Sequence, residues 1–320
     1  MPRVIDTDTT DVIGIEELID TLETGHFDGN DEENFVSFGP ALKKLANNRA
    51  FLADLMIGEL KQRCEGQLRD NQYSAQVMML HRRSDRFVLR ANFWPAMTDS
   101  IVRQSGTDPF FYGTAHDHNF SFLTVGYFGP GYWSDYYEYD YGEVVGYPGE
   151  PVDLRFMERS KLDEGKVMLY RIHRDVHLQL PADALSVSIN ILETSPSAPF
   201  RDQCRFNVNN STLDGIMTRM SLEPMLAITA HMGGDEGTDL LDQFVHGHPS
   251  DRMRWLALKA RASQAPDIGT RLAVLETGTA SGSLLVAHMA RQEIAKVERG
   301  RDWIERGPAP LPAPRLTVPA

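Results

Sequence analysis

Cysteine is scarce in this chain, and long hydrophobic runs are missing from it. Only Cys64 and Cys204 occur among 320 residues, and they lie in unrelated patterns. This excludes a disulfide framework and a cysteine-rich zinc site, and it favours a reducing compartment. No stretch approaches the roughly 18–20 apolar residues of a membrane helix, and the N-terminus lacks the apolar run of a signal peptide. We therefore expect a soluble, cytoplasmic protein without a membrane partner.

Positive charge is also in short supply. The chain has 32 Lys and Arg against 45 Asp and Glu, a formal net charge of −13. An acidic surface repels polyphosphate, so nucleic acid is not an expected partner. Hydrophobic residues make up 42% and charged residues 24% of the chain, which is typical of a folded globular protein and not of disorder. The length predicts two structural units, or one unit with a large appendage.

The spacing of apolar residues divides the chain into four parts. Residues 1–75 have helical periodicity, whereas residues 76–210 contain short segments rich in aromatic and branched residues, separated by Gly, Pro and Asp turns. Helical periodicity returns over 211–306, and 307–320 is a Pro-rich tail that we expect to be mobile. The sequence predicts an α+β protein in which a β-sandwich or barrel lies between two helical regions.

The C-terminal helical region contains two similar segments about thirty residues apart. Residues 255–260 and 285–290 present comparable helix faces, which suggests a HEAT-like helical repeat. Stable solenoids usually need three or more repeats, so a plain helical cap on the barrel is the stronger interpretation.

Two histidine-bearing segments carry the clearest chemical signal. On a strand, alternate side chains share a face, so His116 and His118 would project to one side and hold one ion. A second segment offers His173 or His177 as a third ligand. Three neutral imidazoles suit Fe, Zn, Cu or Ni better than Mg or Ca.

These residues resemble the two metal-binding motifs of the cupin superfamily, whose fold is a small jelly-roll barrel. The likeness covers roughly residues 76–210 and rests on His116-x-His118, Gly126, Gly165 and His177. The second cupin motif places its histidine about eleven residues after a turn glycine. The interval from Gly165 is 12 residues to His177 and 8 to His173, so the resemblance favours His177, with His173 as the alternative.

The first motif departs from the usual cupin pattern. Phe122 and Leu123 stand where a cupin normally has a glutamate ligand, and this is similar to the cysteine-dioxygenase-like thiol dioxygenases, which bind ferrous iron with three histidines. Leu123 and Leu192 stand where some of those enzymes have a cysteine–tyrosine crosslink, and Asn190 where they often have a histidine. The resemblance therefore implies the ligand set and not the substrate.

Further residues are predicted to act around such a metal. Arg90 would bind a carboxylate, Tyr112 would donate a proton, and Gln179 and Asn190 would support the ligands. The predicted substrate pocket consists of Trp94, Tyr127 and Tyr170.

The resemblance implies a non-haem iron-dependent oxygenase of the dioxygenase type. Its partners would be O2 and a small polar or amino-acid-like substrate, with the helical parts as a cap or a homodimer interface. Zn, Ni, Mn or Cu are alternative metals. Two alternative functions stay open: a non-catalytic metal- or ligand-binding cupin whose helical domain mediates protein interaction, and a redox-neutral, metal-dependent isomerase or lyase.

Overall fold

The structure is a computed structural model that describes residues 1–71, 73–74, 76–82, 85–218 and 222–306. It divides into two compact units, residues 1–218 and 219–320. The predicted Pro-rich tail, 307–320, lies outside the described residues.

Short helices dominate the first seventy residues of unit 1, and strands dominate the rest. The helices are α1 Ile15–Thr24, α2 Glu32–Ser37, α3 Gly39–Ala46, α4 Phe51–Lys61, α5 Glu65–Asp70 and α6 Ser100–Ser105. The strands are β1 Arg3–Ile5, β2 Val77–His81, β3 Phe87–Trp94, β4 Ala115–His116, β5 Phe122–Phe128, β6 Tyr132–Glu138, β7 Arg155–Leu162, β8 Val167–Tyr170, β9 Asp175–Gln179, β10 Ser186–Glu193, β11 Cys204–Asn207 and β12 Thr212–Ile216.

Within the described residues, these strands form two six-stranded antiparallel sheets. The first sheet has the order β1-β8-β5-β10-β3-β2, and the second has the order β12-β11-β4-β9-β6-β7. Neighbours in each sheet are often far apart in sequence, as where β10 lies between β3 and β5. Such long connections between strands are typical of a jelly roll.

The first sheet is covered on its outer face by the N-terminal helices. In β3, Phe87, Leu89 and Ala91 pack with α1 and α3 in one core, because alternate residues of a strand point to opposite faces. In β5, Leu123 and Val125 face the same way. The helical region predicted over 1–75 is therefore bound to the barrel as part of one compact unit.

The opposite faces of the two sheets enclose a second, more polar interior. Buried aromatic residues from both sheets meet there, among them Trp94 of β3, Phe122 of β5, Tyr136 of β6 and Tyr170 of β8. Buried polar residues lie on the same inward positions, including Arg90, Asn92 and Asn190. A barrel interior with this polar content needs a specific reason, since each unpaired buried polar group destabilises the fold.

Unit 2 consists of helices packed against their neighbours in the chain. They are α7 Leu222–Met232, α8 Gly234–Gly247, α9 Asp251–Ser263, α10 Ile268–Thr279 and α11 Leu284–Arg306. The two similar segments found in the sequence lie on α9 and α11, and Trp255, Leu258, Val286 and Ala290 from those segments share one core. The C-terminal helical domain is thus present, while a HEAT-like repeat stays a prediction.

The α+β class and the predicted β-structure between two helical regions are confirmed. The predicted boundaries at residues 75 and 210 differ from the structure at both ends of the barrel. β1 joins the first sheet beside β8, and β12 extends the second sheet to residue 216. A three-residue strand carries too little alternation to be recognised in sequence, and its pairing partner is more than 160 residues away.

Candidate metal centre

Three histidines converge on one side of the barrel interior. His116 ends β4 and pairs directly with His177 of β9 across the second sheet. The chain leaves the sheet after His116, so His118 lies outside any strand, contrary to the expectation of one continuous strand through both residues. The backbone carbonyl of His118 accepts a hydrogen bond from His173 N–H at 3.0 Å.

The three imidazoles are buried and point their Nε2 atoms at one another. His118 Nε2 lies 3.0 Å from His177 Nε2, and His177 Nε2 lies 3.2 Å from His116 Nε2. An imidazole nitrogen binds a first-row metal at about 2.0–2.1 Å, so two such nitrogens lie about 2.9 Å apart at a right angle and about 3.4 Å apart at a tetrahedral angle. The observed distances lie within this range. The residues present therefore fit one metal ion held by three histidines.

Neighbouring groups define which ring nitrogen of His116 is free. Its Nδ1 lies 2.9 Å from the carbonyl oxygen of Thr114, and because a carbonyl only accepts, Nδ1 carries the proton. Nε2 of His116 then has a lone pair directed into the cluster. This arrangement, in which the second ring nitrogen donates to the protein, is typical of metal-binding histidines.

Gln179 lies beside the ring of His177, as Thr114 lies beside the ring of His116. Its Nε2 lies 3.2 Å from His177 Nδ1, and its Oε1 has no hydrogen-bond partner among the described residues. The same Nε2 atom also lies 3.2 Å from His177 Nε2, so the amide contacts both ring nitrogens of His177. Gln179 thus contacts His177 directly, and its support of a metal ligand stays a prediction.

Burial keeps all three rings neutral. It lowers the pKa of His116 to about 4, and it holds the pKa values of His118 and His177 well below the ordinary histidine value, with repulsion from His116 adding to the effect. A neutral imidazole is the form that binds a metal, so at pH 7 no proton competes strongly for these Nε2 atoms.

A cavity of about 140 Å³ opens beside the three histidines. It is smaller than the roughly 300–1,000 Å³ pockets that hold drug-sized ligands, so its ligand is small. Its walls are aromatic and polar. The lining residues are Ser74, Gln76, Val77, Arg90, Asn92, Trp94, Phe111, His116, His118, Phe120, Phe122, Tyr132, His177, Gln179, Asn190 and Gln203.

Arg90 is the only cationic side chain among these described lining residues, and it is buried. No carboxylate of the described residues forms an ion pair with it, and its Nε has no hydrogen-bond partner there. The guanidinium instead lies over the ring of Tyr73, 5.0 Å from the centroid. Burial lowers the pKa of Arg90, but a guanidinium stays protonated in proteins, so its positive charge lacks a carboxylate counter-charge.

Two amides next to Arg90 also have unused hydrogen-bonding atoms. Asn92 Oδ1 and Asn190 Nδ2 are buried and have no partner among the described residues. β3 and β10 are hydrogen-bonded neighbours, and Asn190 lies directly opposite Arg90 in their register. The three side chains thus form one polar wall.

His173, the alternative third ligand, is not part of the cluster. Residues 167–179 form two strands in different sheets, β8 and β9, separated by a turn in which His173 has a φ of +54°. Its ring stacks on Tyr141 at 3.7 Å, and its Nε2 lies 3.0 Å from the carbonyl oxygen of Asp202. Because it lies in this turn and not on β9, His173 does not share a strand face with His177.

Three other predicted site residues lie outside the cavity lining. Tyr112 donates its hydroxyl hydrogen to the carbonyl oxygen of Pro95 at 2.9 Å, so that proton is already engaged. Tyr127 is one of the alternate residues of β5 that face outward, away from the barrel interior. It packs under the N-terminal helices, where its hydroxyl donates to the carbonyl oxygen of Asn48. Tyr170 is fully buried behind the ligands, with its ring centroid 5.0 Å from that of His177 and its hydroxyl 2.8 Å from that of Tyr136.

The cavity also contains residues that sequence reasoning missed. Asn92 and Tyr132 are the most informative of these, and Tyr132 packs on the predicted pocket residue Trp94 at 4.1 Å between ring centroids. The alternation of β3 was the available signal for Asn92, because Arg90, Asn92 and Trp94 share one parity. Gln76, Phe111 and Gln203 come from loops or strand ends, where no periodicity indicates them.

The comparisons with known proteins add little to this picture. No protein-family model matches the chain, and no curated protein matches it. The similar solved structures include a lyase and two dioxygenases. The DMSP lyase DddQ from Ruegeria pomeroyi DSS-3 has 10% identity and a TM-score of 0.23, with 38% of this chain and 47% of that chain covered.

Two dioxygenase structures have comparable values. Salicylate 1,2-dioxygenase from Pseudaminobacter salicylatoxidans has 9% identity and a TM-score of 0.26, with 44% of this chain and 33% of that chain covered. Hydroquinone 1,2-dioxygenase PnpCD, in complex with Cd²⁺ and 4-hydroxybenzonitrile, has 10% identity and a TM-score of 0.24, with 41% and 71% covered. The chain thus spans less than half the length of the first two, and TM-scores this low do not bear on activity.

Membrane-spanning helices are not found in the part of the chain that the structure describes, where no helix combines sufficient length with sufficient apolar character.

Proposed function

We propose that this chain is a non-haem Fe(II)-dependent oxygenase of the dioxygenase type that acts with O2 on a small anionic, amino-acid-like substrate. One observation carries the proposal: three neutral imidazole Nε2 atoms converge at 3.0–3.2 Å on the wall of a small cavity that also holds an arginine without a carboxylate partner.

His116, His118 and His177 would hold the ion. A ferrous ion bound by three histidines supplies adjacent open positions at which a substrate and O2 meet. The aromatic walls formed by Phe111, Phe120 and Phe122 limit the access of water to these positions. Gln179 and the Thr114 carbonyl keep the ligand rings oriented.

Arg90 would bind the anionic group of the substrate. A carboxylate offers two oxygens to the planar guanidinium, and such charge-assisted bonds are the strong ones. Asn190 would donate to the same group, and Asn92 would accept from a hydroxyl, amino or thiol group of the substrate. Trp94 and Tyr132 would pack against its carbon atoms.

The residues that line the cavity are also relevant to the alternative function, a redox-neutral isomerase or lyase. Isomerases and lyases transfer protons through a side-chain acid or base, for which Asp, Glu or an ionisable His is the usual choice. No Asp or Glu occurs among the described lining residues, and its histidines are all in the ligand cluster. Burial raises the pKa of Tyr132 well above its usual value, so that hydroxyl is a poor base. The composition of the cavity therefore supports oxygen chemistry over proton transfer.

The first test is the metal content of tag-free protein purified from iron-supplemented cells, measured by elemental mass spectrometry. We expect about one iron per chain and O2 uptake with at least one member of a panel of small thiols, amino acids and hydroxy acids. Zinc, nickel, manganese or copper at that level, without O2 uptake, would favour the redox-neutral enzyme. A folded, metal-free protein would favour a binding module.

A matched pair of variants tests the role of Arg90. Arg90→Gln should raise KM for the accepted substrate with little loss of bound iron. Arg159→Gln, which removes an exposed arginine paired with Asp135 on β6, should leave both unchanged. An unchanged KM in Arg90→Gln would contradict the anion-binding role while leaving the metal site standing.

The cellular setting belongs to the same proposal. We propose a cytoplasmic enzyme whose partners are the substrate and O2, with neither nucleic acid nor membrane, and with the helical parts as a homodimer interface.

A further inference from the structure

Asp117 stands between two of the three clustered histidines but faces away from them. Its side chain is fully buried, in the layer of Tyr139, Cys204 and Phe206 on the outer side of the second sheet. It is not a member of the histidine cluster and does not line the cavity. An isolated buried carboxylate is unfavourable, so its contacts must compensate for the lost hydration.

Four hydrogen bonds provide that compensation. One carboxylate oxygen, Oδ1, accepts from Cys204 N–H at 2.5 Å, and Oδ2 accepts from the hydroxyl of Tyr139 at 2.5 Å. The backbone N–H of Asp117 donates to Cys204 O at 3.1 Å, and its carbonyl accepts from Gln203 Nε2 at 2.8 Å. Every polar group of Asp117 is thereby used, and two of the bonds have the short length of carboxylate-assisted ones.

These bonds begin where the strand ladder stops. β4 is two residues long, and its pairing with β9 and β11 ends at His116. His118 therefore lies beyond the paired residues, and strand pairing does not fix the direction of its side chain. Hydrogen bonds of Asp117 hold the chain in place beyond the paired residues. They attach it to the start of β11 through Cys204, and to the end of β6 through Tyr139, the residue directly after Glu138.

The same two anchors lie beside the strands that carry the other two histidines. β6 pairs with β9, where Tyr136 lies opposite His177, and β11 pairs with β4. One carboxylate thus connects the segment that carries His118 to the strand beside His177.

From this geometry we infer that Asp117 is the positioning residue of the metal site, fixing His118 relative to His116 and His177 through Tyr139 and Cys204. The inference rests on the proposed function, since it requires that the three histidines bind a metal. Residues that orient metal ligands typically change metal affinity about 10–100-fold when they are replaced.

Asp117→Asn is the informative variant. Asparagine has nearly the same shape, and its Oδ1 can still accept from Cys204 N–H, so the chain should fold. Its Nδ2 is a donor and cannot accept the hydroxyl hydrogen of Tyr139, so the connection to the end of β6 is lost. Tyr139→Phe removes the other half of the contact. Glu150→Gln is the matched control, because Glu150 is also buried in unit 1 and accepts backbone N–H bonds from Val145 and Gly146.

The experiment measures cobalt(II) affinity of the full chain by competition with a chelating dye, together with the visible absorption of the bound cobalt and the melting temperature of the metal-free protein. We expect Asp117→Asn and Tyr139→Phe to bind cobalt about 10–100-fold more weakly and with shifted absorption bands. Glu150→Gln should match the wild type in both readouts.

The outcomes separate the inference from the proposed function. If the wild-type protein binds no cobalt, the proposed function fails. If the wild type binds and Asp117→Asn has the same affinity and spectrum, the inference alone is overturned, even when the melting temperature of the metal-free variant has fallen. If Glu150→Gln weakens binding as much as Asp117→Asn, the effect is general loosening of unit 1 and the positioning role is also overturned.

Discussion

Metal addition should stabilise unit 1 through His177 and not through His173. A ligand that binds only the folded state at 100 times its Kd stabilises that state by about 2.7 kcal/mol. For domains of about 150–250 residues, 1 kcal/mol corresponds to about 2–4 °C in melting temperature. Unit 1 spans residues 1–218, so cobalt(II) at this concentration should raise its melting temperature by about 5–11 °C.

His177→Ala removes one of three converging nitrogens. Structural metal sites with four ligands bind with about 10–16 kcal/mol, which is about 2.5–4 kcal/mol per ligand. The Kd of the variant should then rise by roughly a hundredfold, from about 60-fold at 2.5 kcal/mol to several hundredfold at 4 kcal/mol, so the same cobalt concentration is close to its Kd. The stabilisation falls to about 0.4 kcal/mol, and the shift in melting temperature falls to about 1 °C.

His173→Ala is the control, because His173 contacts Tyr141 and Asp202 and lies outside the cluster. The assay is differential scanning calorimetry with and without cobalt(II), and each variant is compared with its own metal-free form, so that a loss of intrinsic stability cancels. His173→Ala should keep the full shift. An equal loss of the shift in both variants would refute the assignment of the third ligand, and an undiminished shift in His177→Ala would refute the three-histidine site.

Other predictions concern the barrel itself. Leu123→Ala, at a fully buried position under the N-terminal helices, should destabilise unit 1 by about 2–5 kcal/mol in urea unfolding, and a loss below about 1 kcal/mol would contradict the described core. Gly126→Ala would place a Cβ 2.1 Å from the carbonyl oxygen of Asp163, so we expect this variant to fold poorly and to lose near-ultraviolet circular dichroism. Gly146→Ala is the control and should fold, because Gly146 has a positive φ but open space around it. Burial, together with the Asp117 charge, raises the pKa of the Cys204 thiol. A thiol-reactive dye at pH 8 should therefore label at most Cys64 in the native protein, and both cysteines in guanidinium chloride. Labelling of both cysteines under native conditions would contradict the packing around Cys204.

Much of the histidine cluster was predictable because its signals are local. The two histidines of the first motif lie two residues apart, and the spacing from Gly165 separated His177 from His173. Arg90 and Trp94 were also reachable, since both lie on one parity of a strand whose alternation is visible in the sequence.

The errors came from places where the chain changes sheet or direction. Tyr127 was predicted to line the pocket, but alternate residues of β5 face outward and place it under the N-terminal helices. Tyr112 is close to the motif in sequence, yet its hydroxyl is engaged by Pro95 O. The turn at His173, with its positive φ, could not be inferred from a histidine in a run of apolar and charged residues.

Composition, periodicity and motif spacing were enough to establish an acidic α+β chain with a histidine-bearing barrel, because these properties depend on residues within one or two turns or strands of each other. The polar wall of Arg90, Asn92 and Asn190, and the contacts of Asp117 with Tyr139 and Cys204, depend on strands and loops separated by about 20 to 100 residues. Only the pairing of distant strands decides which side chains meet, since register and sheet order are set by the packing of the whole core and not by any local pattern.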